Sequence, residues 1–227
     1  MMVEKVVFKI ILLWALIKNQ VRVFIYNLRP GVYIGRGVKI SRTVLKVRPG
    51  GKINIGRNSV LEGTIIDSSS ECIAIGEYCN LQSCNLKVKF GGSVEIGNHS
   101  EIMEGSIIHT YGGEIIIGDN CSINANTIIY GHGNTHIGHE VLIAGHCMII
   151  PSNHVTDKIS KSIRLQGNRS KGIEIKNNVW MGHASSVLDG VIVGEGSVIG
   201  AGAVVAKNTK KNGIYMGVPA TLKRIRS

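Results

Sequence analysis

The chain has 227 residues, of which 44 % are hydrophobic and only 5 % aromatic, with 29 glycines and a formal net charge of +11. Scarce aromatics and abundant glycine exclude a compact globule with a bulky core and favour a repetitive fold whose interior takes Ile, Val and Leu. Five cysteines (Cys72, Cys79, Cys84, Cys121, Cys147) form no CxxC pair and are odd in number, which excludes a simple disulfide framework and points to reduced, packed thiols in a cytoplasmic protein.

The charge is uneven. Residues 1–52 hold eleven Lys and Arg against one acid, Glu4, whereas the rest of the chain is nearly neutral, with 15 basic and 14 acidic side chains. A basic end of this kind fits an anionic surface or polymer as neighbour, or simple solubility. The charge lacks interleaved aromatics and any recognition motif, so nucleic acid is not expected as a partner.

Residues 3–26 read as an amphipathic helix. At 100° per residue, Val6, Val7, Ile10, Leu13, Trp14, Ile17, Val21 and Phe24 share one apolar face, and Lys5, Lys9, Lys18, Asn19, Gln20 and Arg22 lie on the other. The longest apolar run, Ile10–Ile17, is far short of the roughly 20 residues a bilayer span needs. No small-residue cleavage site follows, so a removed signal peptide is not expected. Two roles stand open: the helix caps the repeat domain or packs between subunits, or it lies on the inner face of the cell membrane as a peripheral anchor. Pro30-Gly31 ends it, so residues 1–30 form one unit.

From residue 31 to 206 the pattern is Ile-Gly punctuation. Ile34-Gly35, Ile55-Gly56, Ile75-Gly76, Ile96-Gly97, Ile117-Gly118 and Ile137-Gly138 follow at spacings of 21, 20, 21, 21 and 20. Within each unit the period is six, and Ile175, Met181, Val187, Val193, Ile199 and Val205 keep it without exception. Such self-similarity is the mark of a stacked repeat fold. A period of six is a short strand plus a tight corner, and three sides make one coil of a triangular prism. Extra residues in the early coils fall at one corner: Pro49-Gly50-Gly51, Ser68-Ser69-Ser70, Phe90-Gly91-Gly92, Tyr111-Gly112-Gly113, Gly131-His132-Gly133. On the third side of the early coils the expected slot holds Lys46, Asp67 and Lys87, so the register there is weaker.

The period lapses once, over residues 151–172, around Pro151, Asn153-His154 and Asp157, with Lys158, Lys161, Arg164, Arg169 and Lys171. A polar loop thrown out of a regular stack is a common place for function. An imidazole, with an ordinary pKa near 6.5, suits proton transfer there. Asp157 either orients that imidazole or is solvated. The basic tail, 207–227, closes the chain.

The [Ile/Val]-Gly-x-x-x-x pattern, Trp180-Met181-Gly182, the run VIVGEGSVIGAGAVV and the tail MGVPATLKR resemble the hexapeptide-repeat acyltransferases, and residues 117–226 look most like the sugar and polysaccharide O-acetyltransferases. The resemblance implies an all-β, left-handed parallel β-helix working as a homotrimer with active sites between subunits. It implies acetyl-CoA as co-substrate and no metal. The family's loop Asn-His is matched by Asn153-His154, with His154 as the base. Asn124 and Asn126 resemble an Asn-x-Asn segment that touches the acceptor sugar, with Tyr130 a weaker candidate, although corner asparagines also serve turn geometry. Trp180, Gly182, His183, Ala201, Gly202, Ala206 and Lys207 stand where the family lines its coenzyme groove, and Lys207, Lys210, Lys211, Lys223 and Arg224 would meet phosphates. His183 and Thr221 depart from the usual small residue and base at their positions, and Lys176 replaces a glycine.

The resemblance implies O-acetylation of a surface-polysaccharide sugar. N-acetylation of a nucleotide-linked aminosugar, a xenobiotic acetyltransferase and a non-catalytic scaffold remain open. A zinc hydratase of the same fold would need a third partner for His132 and His136, and none stands at a convincing spacing.

Overall fold

The computed structural model describes residues 2–69 and 71–227, with side chains from Val7 onward apart from Leu12. Expectations placed on Ser70 and on the side chains of Lys5 and Val6 lie outside the described residues.

Residues 32 to 205 wind into a three-faced parallel β-helix. The first face is an eight-stranded sheet running from Val32–Ile34 to Ile192–Val193, and the third is an eight-stranded sheet from Val44–Val47 to Val204–Val205. The second face has ten strands, because Gly213–Met216 and Thr221–Ile225 extend it past the last full coil. Pairing between coils is parallel throughout, and the last pair, Gly213–Met216 with Thr221–Ile225, is antiparallel.

The interior is a stack of aliphatic layers, one residue per face. Ile117, Ile123 and Ile129 form one layer, Ile137, Ile143 and Ile149 the next, Ile175, Met181 and Val187 the next, and all are buried. Each buried side chain contributes roughly 1.5–3 kcal/mol, and a coil borrows both its neighbours to bury it, so stability belongs to the stack.

The third face of the first three coils departs from the expected slots. The core there takes Leu45, Ile66 and Leu86, so the step from Ile40, Leu61 and Leu81 is five residues, not six. Corners turned by left-handed Arg42, Gly63 and Ser83 are one residue shorter than those of later coils. Lys46, Asp67 and Lys87 therefore project outward in one row.

The cysteines are free, and four are buried. They share corner slots with hydroxyl residues of neighbouring coils. Cys79 Sγ donates to Gly97 O at 3.0 Å and Cys121 Sγ to Gly138 O at 3.0 Å, as Ser59 Oγ does to Gly76 O at 2.9 Å and Ser100 Oγ to Gly118 O at 2.9 Å. Burial pushes their thiols up, that of Cys84 to about 11, so they stay protonated.

Helix α1 (Met2–Asn27) covers the open end of the first coil, but with the opposite face from the one its apolar stripe marks. Asn19 Nδ2 donates to Val38 O at 2.9 Å and its Oδ1 accepts from Ile40 N at 2.7 Å. Asn27 makes the same two-way contact with Ile34, and Arg22, Tyr26 and Arg29 donate to the carbonyls of Ile40, Thr43 and Leu45. An open strand edge carries unpaired backbone groups, and these side chains satisfy them. Asn19 and Arg22 thus face the prism rather than solvent, while Trp14, Ile17, Val21 and Phe24 are exposed. Among the described residues no helix is long and apolar enough to cross a membrane.

Candidate active site

The loop leaves the third face after Ile150 and rejoins the first face at Ile173, so it emerges from the third corner between intact coils. Its base is a two-rung antiparallel ribbon pairing Asn153 with Arg169 and His154 with Asn168. Val155 N donates to Gly167 O at 2.9 Å. Gln166 ties the tip: its amide donates to the carbonyls of Lys158 and Lys161 and accepts from Lys158 N. The one-turn helix α2 (Ile163–Gln166) buries nothing.

One residue that the sequence pattern did not single out fixes this base. Asp189, at the third corner one coil beyond, accepts from Lys171 N at 2.7 Å and Gly172 N at 3.1 Å through Oδ1, and from Asn153 Nδ2 at 3.4 Å through Oδ2. The signal available was the Leu188-Asp189-Gly190 corner facing the point where the repeat resumes.

The His154 imidazole is exposed and makes no hydrogen bond among the described residues. Asp157 lies beside Arg169, with Oδ2 3.6 Å from Nη1, rather than on the imidazole. Within the chain, among the described residues, His154 therefore has no carboxylate to orient it.

The second corner carries most of the remaining candidates, one above another in successive coils. Asn124-Ala125-Asn126, Ala144-Gly145-His146, Gly182-His183-Ala184 and Gly200-Ala201-Gly202 are its rungs, turned by left-handed Asn126, His146, Ala184 and Gly202. Asn124 Nδ2 donates to Ile143 O at 3.0 Å, a coil-to-coil tie. The rings of His146 and His183 meet edge to face at 5.2 Å. Around Gly202 there is open space.

Trp180 projects from the second face between Leu142 and Val198 and lines a cleft of about 480 Å³ with Arg224 and Arg226. Lys223 is exposed on the same terminal strand. Ala206 and Lys207 sit at the third corner, on the side of the loop. Lys211 pairs with Glu195 at 2.9 Å, and Lys176 with Glu174.

Tyr130 projects from the third face. It meets Tyr111 edge to face at 5.4 Å, and Tyr111 stacks on His132 at 4.3 Å. His136 contacts Glu114, 2.8 Å away. The structure thus brings Asn153 and His154 together at the third corner, and Asn124, Asn126, Gly182, His183, Ala201 and Gly202 together at the second. The whole third face separates the two groups in one chain.

Residues 172–207 match the model of the bacterial transferase hexapeptide (six repeats). The matched stretch forms the last two coils of the eight-coil prism. Among curated relatives, the chain is 35 % identical over 89 residues to a galactoside O-acetyltransferase of Lactococcus lactis, covering 37 % of this chain and 43 % of that one. It is 33 % identical over 93 residues to a putative lipopolysaccharide biosynthesis O-acetyl transferase of Escherichia coli K12, covering 38 % and 47 %. The match spans less than half the length of either. Among solved structures, a variant of AntD, an N-acyltransferase from Bacillus cereus, in complex with dTDP and coenzyme A, superposes with a TM-score of 0.56 at 19 % identity over 77 % of this chain and 84 % of that one. That likeness shows the fold.

Proposed function

We propose that this hexapeptide-repeat protein is an acetyl-CoA-dependent O-acetyltransferase acting on a sugar hydroxyl in surface-polysaccharide biosynthesis. The observation that carries this reading is the exposed, unpartnered His154 on a loop base clamped by Asp189 to a rigid stack. By their names, the relatives above are a galactoside O-acetyltransferase and a putative lipopolysaccharide biosynthesis O-acetyl transferase, and the solved neighbour is a complex with dTDP and coenzyme A.

His154 takes the proton of the attacking hydroxyl and returns it to the departing thiolate. General-base catalysis of this kind contributes ~10²–10⁴-fold. Acetyl-CoA supplies the activated acyl group. The second corner fits a pantetheine arm: its Gly200-Ala201-Gly202 rung is small, Ala201 and Gly202 are exposed, and the space beside Gly202 is open. A backbone N–H there would meet the carbonyl oxygen as it becomes negative. Trp180, His183, Lys207, Lys223 and Arg224 are the side chains that would line or close the groove.

The third corner of one protomer and the second corner of another complete the site, because one chain keeps His154 and the Gly182–Gly202 edge on opposite sides of its third face. A homotrimer of parallel prisms supplies that juxtaposition, as oligomers of one chain do by repeating a single heterologous contact. Asn124, Asn126, Tyr130 and Asn153 then border the acceptor. A parallel trimer also places three α1 helices at one end. There their exposed Trp14, Ile17, Val21 and Phe24, flanked by Lys9, Lys18 and Arg29, would rest on the anionic inner face of the cell membrane.

Labelled acetyl-CoA incubated with a panel of polysaccharides, nucleotide sugars and aminosugars tests the reading. Ester-linked label on a saccharide is expected. Label on an amine would move the reading to N-acetylation, and failure to bind acetyl-CoA would overturn it.

A further inference from the structure

A second cleft lies on the third corner, three coils before the loop. Arg48, Asp67, Ser69, Lys87, Lys89 and Phe90 line a cavity of about 440 Å³. Two features stand out there. Asp67 is only 6 % exposed, and its Oδ1 has no hydrogen-bond partner among the described residues. Arg48 Nε and Lys87 Nζ stand 3.9 Å from its two oxygens, near enough for attraction but too far for a hydrogen bond. Phe90 holds left-handed backbone at φ +59 and leaves its ring 76 % exposed. Left-handed backbone turns other corners of the prism too, as at Arg42 and Ser83; at Phe90 it aims a large apolar ring into solvent beside the cleft.

The two features complement one another. Three cations against one carboxylate leave the cleft net positive, and Asp67 holds Arg48 and Lys87 in place without neutralising both. A flat exposed ring stacks against the C–H face of a pyranose. The Asp67 carboxylate next to it can accept a hydrogen bond from a sugar hydroxyl, and Arg and Lys donate to a carboxylate or phosphate.

The cleft is also joined to the loop. Coils repeat every ~4.8 Å, so the third-coil corner at Phe90 and the sixth-coil exit at Pro151 lie about 14 Å apart along the prism. Between them stand Tyr111, His132 and Tyr130, with ring centroids 4.3 to 5.7 Å apart. These three rings form an aromatic cluster on the two coils between cleft and loop.

We propose that the cleft bounded by Asp67 and Phe90 is a distal subsite for an acidic saccharide, and that the acceptor is an oligomer lying along the third corner from that cleft to the His154 loop. This deepens the acetyl-transfer reading and rests on it for the fate of the chain's near end. Binding in the cleft does not depend on it. A single sugar reaches only one end, so affinity grows with length until both ends are filled, as expected for linked contacts.

The test is calorimetric, on the full chain, with oligogalacturonates of one to eight units and dextran oligomers of equal length as neutral controls. Affinity for oligogalacturonate is expected to rise at least tenfold between one and five units and to weaken with salt. Phe90→Asn keeps a residue suited to left-handed backbone, and Lys87→Gln keeps the length of a polar side chain. Each is expected to abolish the length dependence while leaving the assembled mass, by light scattering, and coenzyme A affinity unchanged. Equal binding of dextran, or affinity independent of length, overturns the proposal. So does altered mass in both variants, because the edge would then be a subunit contact. Coenzyme A binding without saccharide binding removes the subsite and spares the transferase. Length-dependent saccharide binding without coenzyme A binding does the reverse.

Discussion

Asp189 Oδ2 lies 3.4 Å from Asn153 Nδ2, while its Oδ1 takes the backbone amides of Lys171 and Gly172. One carboxylate therefore joins both ends of the loop to the coil beyond it. Asp189→Ala removes all three contacts and frees the ribbon that carries His154. Turnover is expected to fall about tenfold, with coenzyme A affinity unchanged. Asp189→Asn keeps an acceptor oxygen and should recover most of the loss. Steady-state kinetics with acceptor varied separate this from plain destabilisation, since a positioning role moves kcat at constant thermal midpoint.

His154→Ala is expected to lower turnover at least a hundredfold while leaving assembly and coenzyme A affinity intact. Near-normal turnover would place the base elsewhere. Asp157 is held by Arg169 at 3.6 Å, so Asp157→Asn should change turnover less than threefold within the same assay.

Helix α1 holds the first coil through Asn19, Arg22, Tyr26 and Asn27, so removing it would strip the edge of the prism as well as any anchor. Point charges on the far face isolate the second effect. Trp14→Glu and Phe24→Glu, at sites 61 % and 64 % exposed, should leave the thermal midpoint within about 2 °C and reduce sedimentation with phosphatidylglycerol vesicles at least fivefold. Unchanged partition would leave the helix a cap alone.

His109 sits on the third face among Lys87, Lys89, Asp67 and Tyr130, with Nε2 3.0 Å from Asn85 Oδ1. Burial, with help from Lys87 and Lys89, lowers its pKa to about 4. The folded state therefore binds this proton less readily than the unfolded chain. Its contribution is complete above the unfolded value near 6.5 and is lost as pH falls toward 4. Thermal melts at pH 7 and pH 4.5 should show a smaller drop in His109→Asn than in the parent.

The fold was legible because its signal is repeated in every coil. Ile-Gly corners and the unbroken six from Ile175 to Val205 depend only on local backbone geometry and on filling a narrow interior. The third face of the early coils was not legible. A corner shortened by one residue at Arg42-Thr43 leaves no trace in composition and shows only as a row of polar residues at the wrong phase. His154 stood out as the histidine of the one irregular segment. Asp189 did not, because its contacts span 18 and 36 residues of chain and its own corner is ordinary. The orientation of α1 runs against its pattern because amphipathicity points to the docked face only when the partner is apolar. Here the partner is an open strand edge, which asks for hydrogen bonds, and Asn19 and Arg22 supply them.

Two glycines of the proposed coenzyme groove separate packing from binding. A Cβ on Gly182 would stand 2.7 Å from Ala201 N and 2.9 Å from Ile199 O, both backbone atoms of the next coil. Gly182→Ala must therefore push two coils apart. It is expected to cost about 1–3 kcal/mol, or several degrees in thermal midpoint, with or without ligand. Gly202 has φ +67, and a Cβ there would meet nothing within 4 Å. Gly202→Ala carries only the backbone strain of about 1 kcal/mol, and its methyl projects into the space assigned to pantetheine. Gly202→Ala should therefore weaken coenzyme A binding at least tenfold with a midpoint shift of at most about 2–4 °C. If Gly202→Ala binds coenzyme A normally, the groove does not run along the second corner.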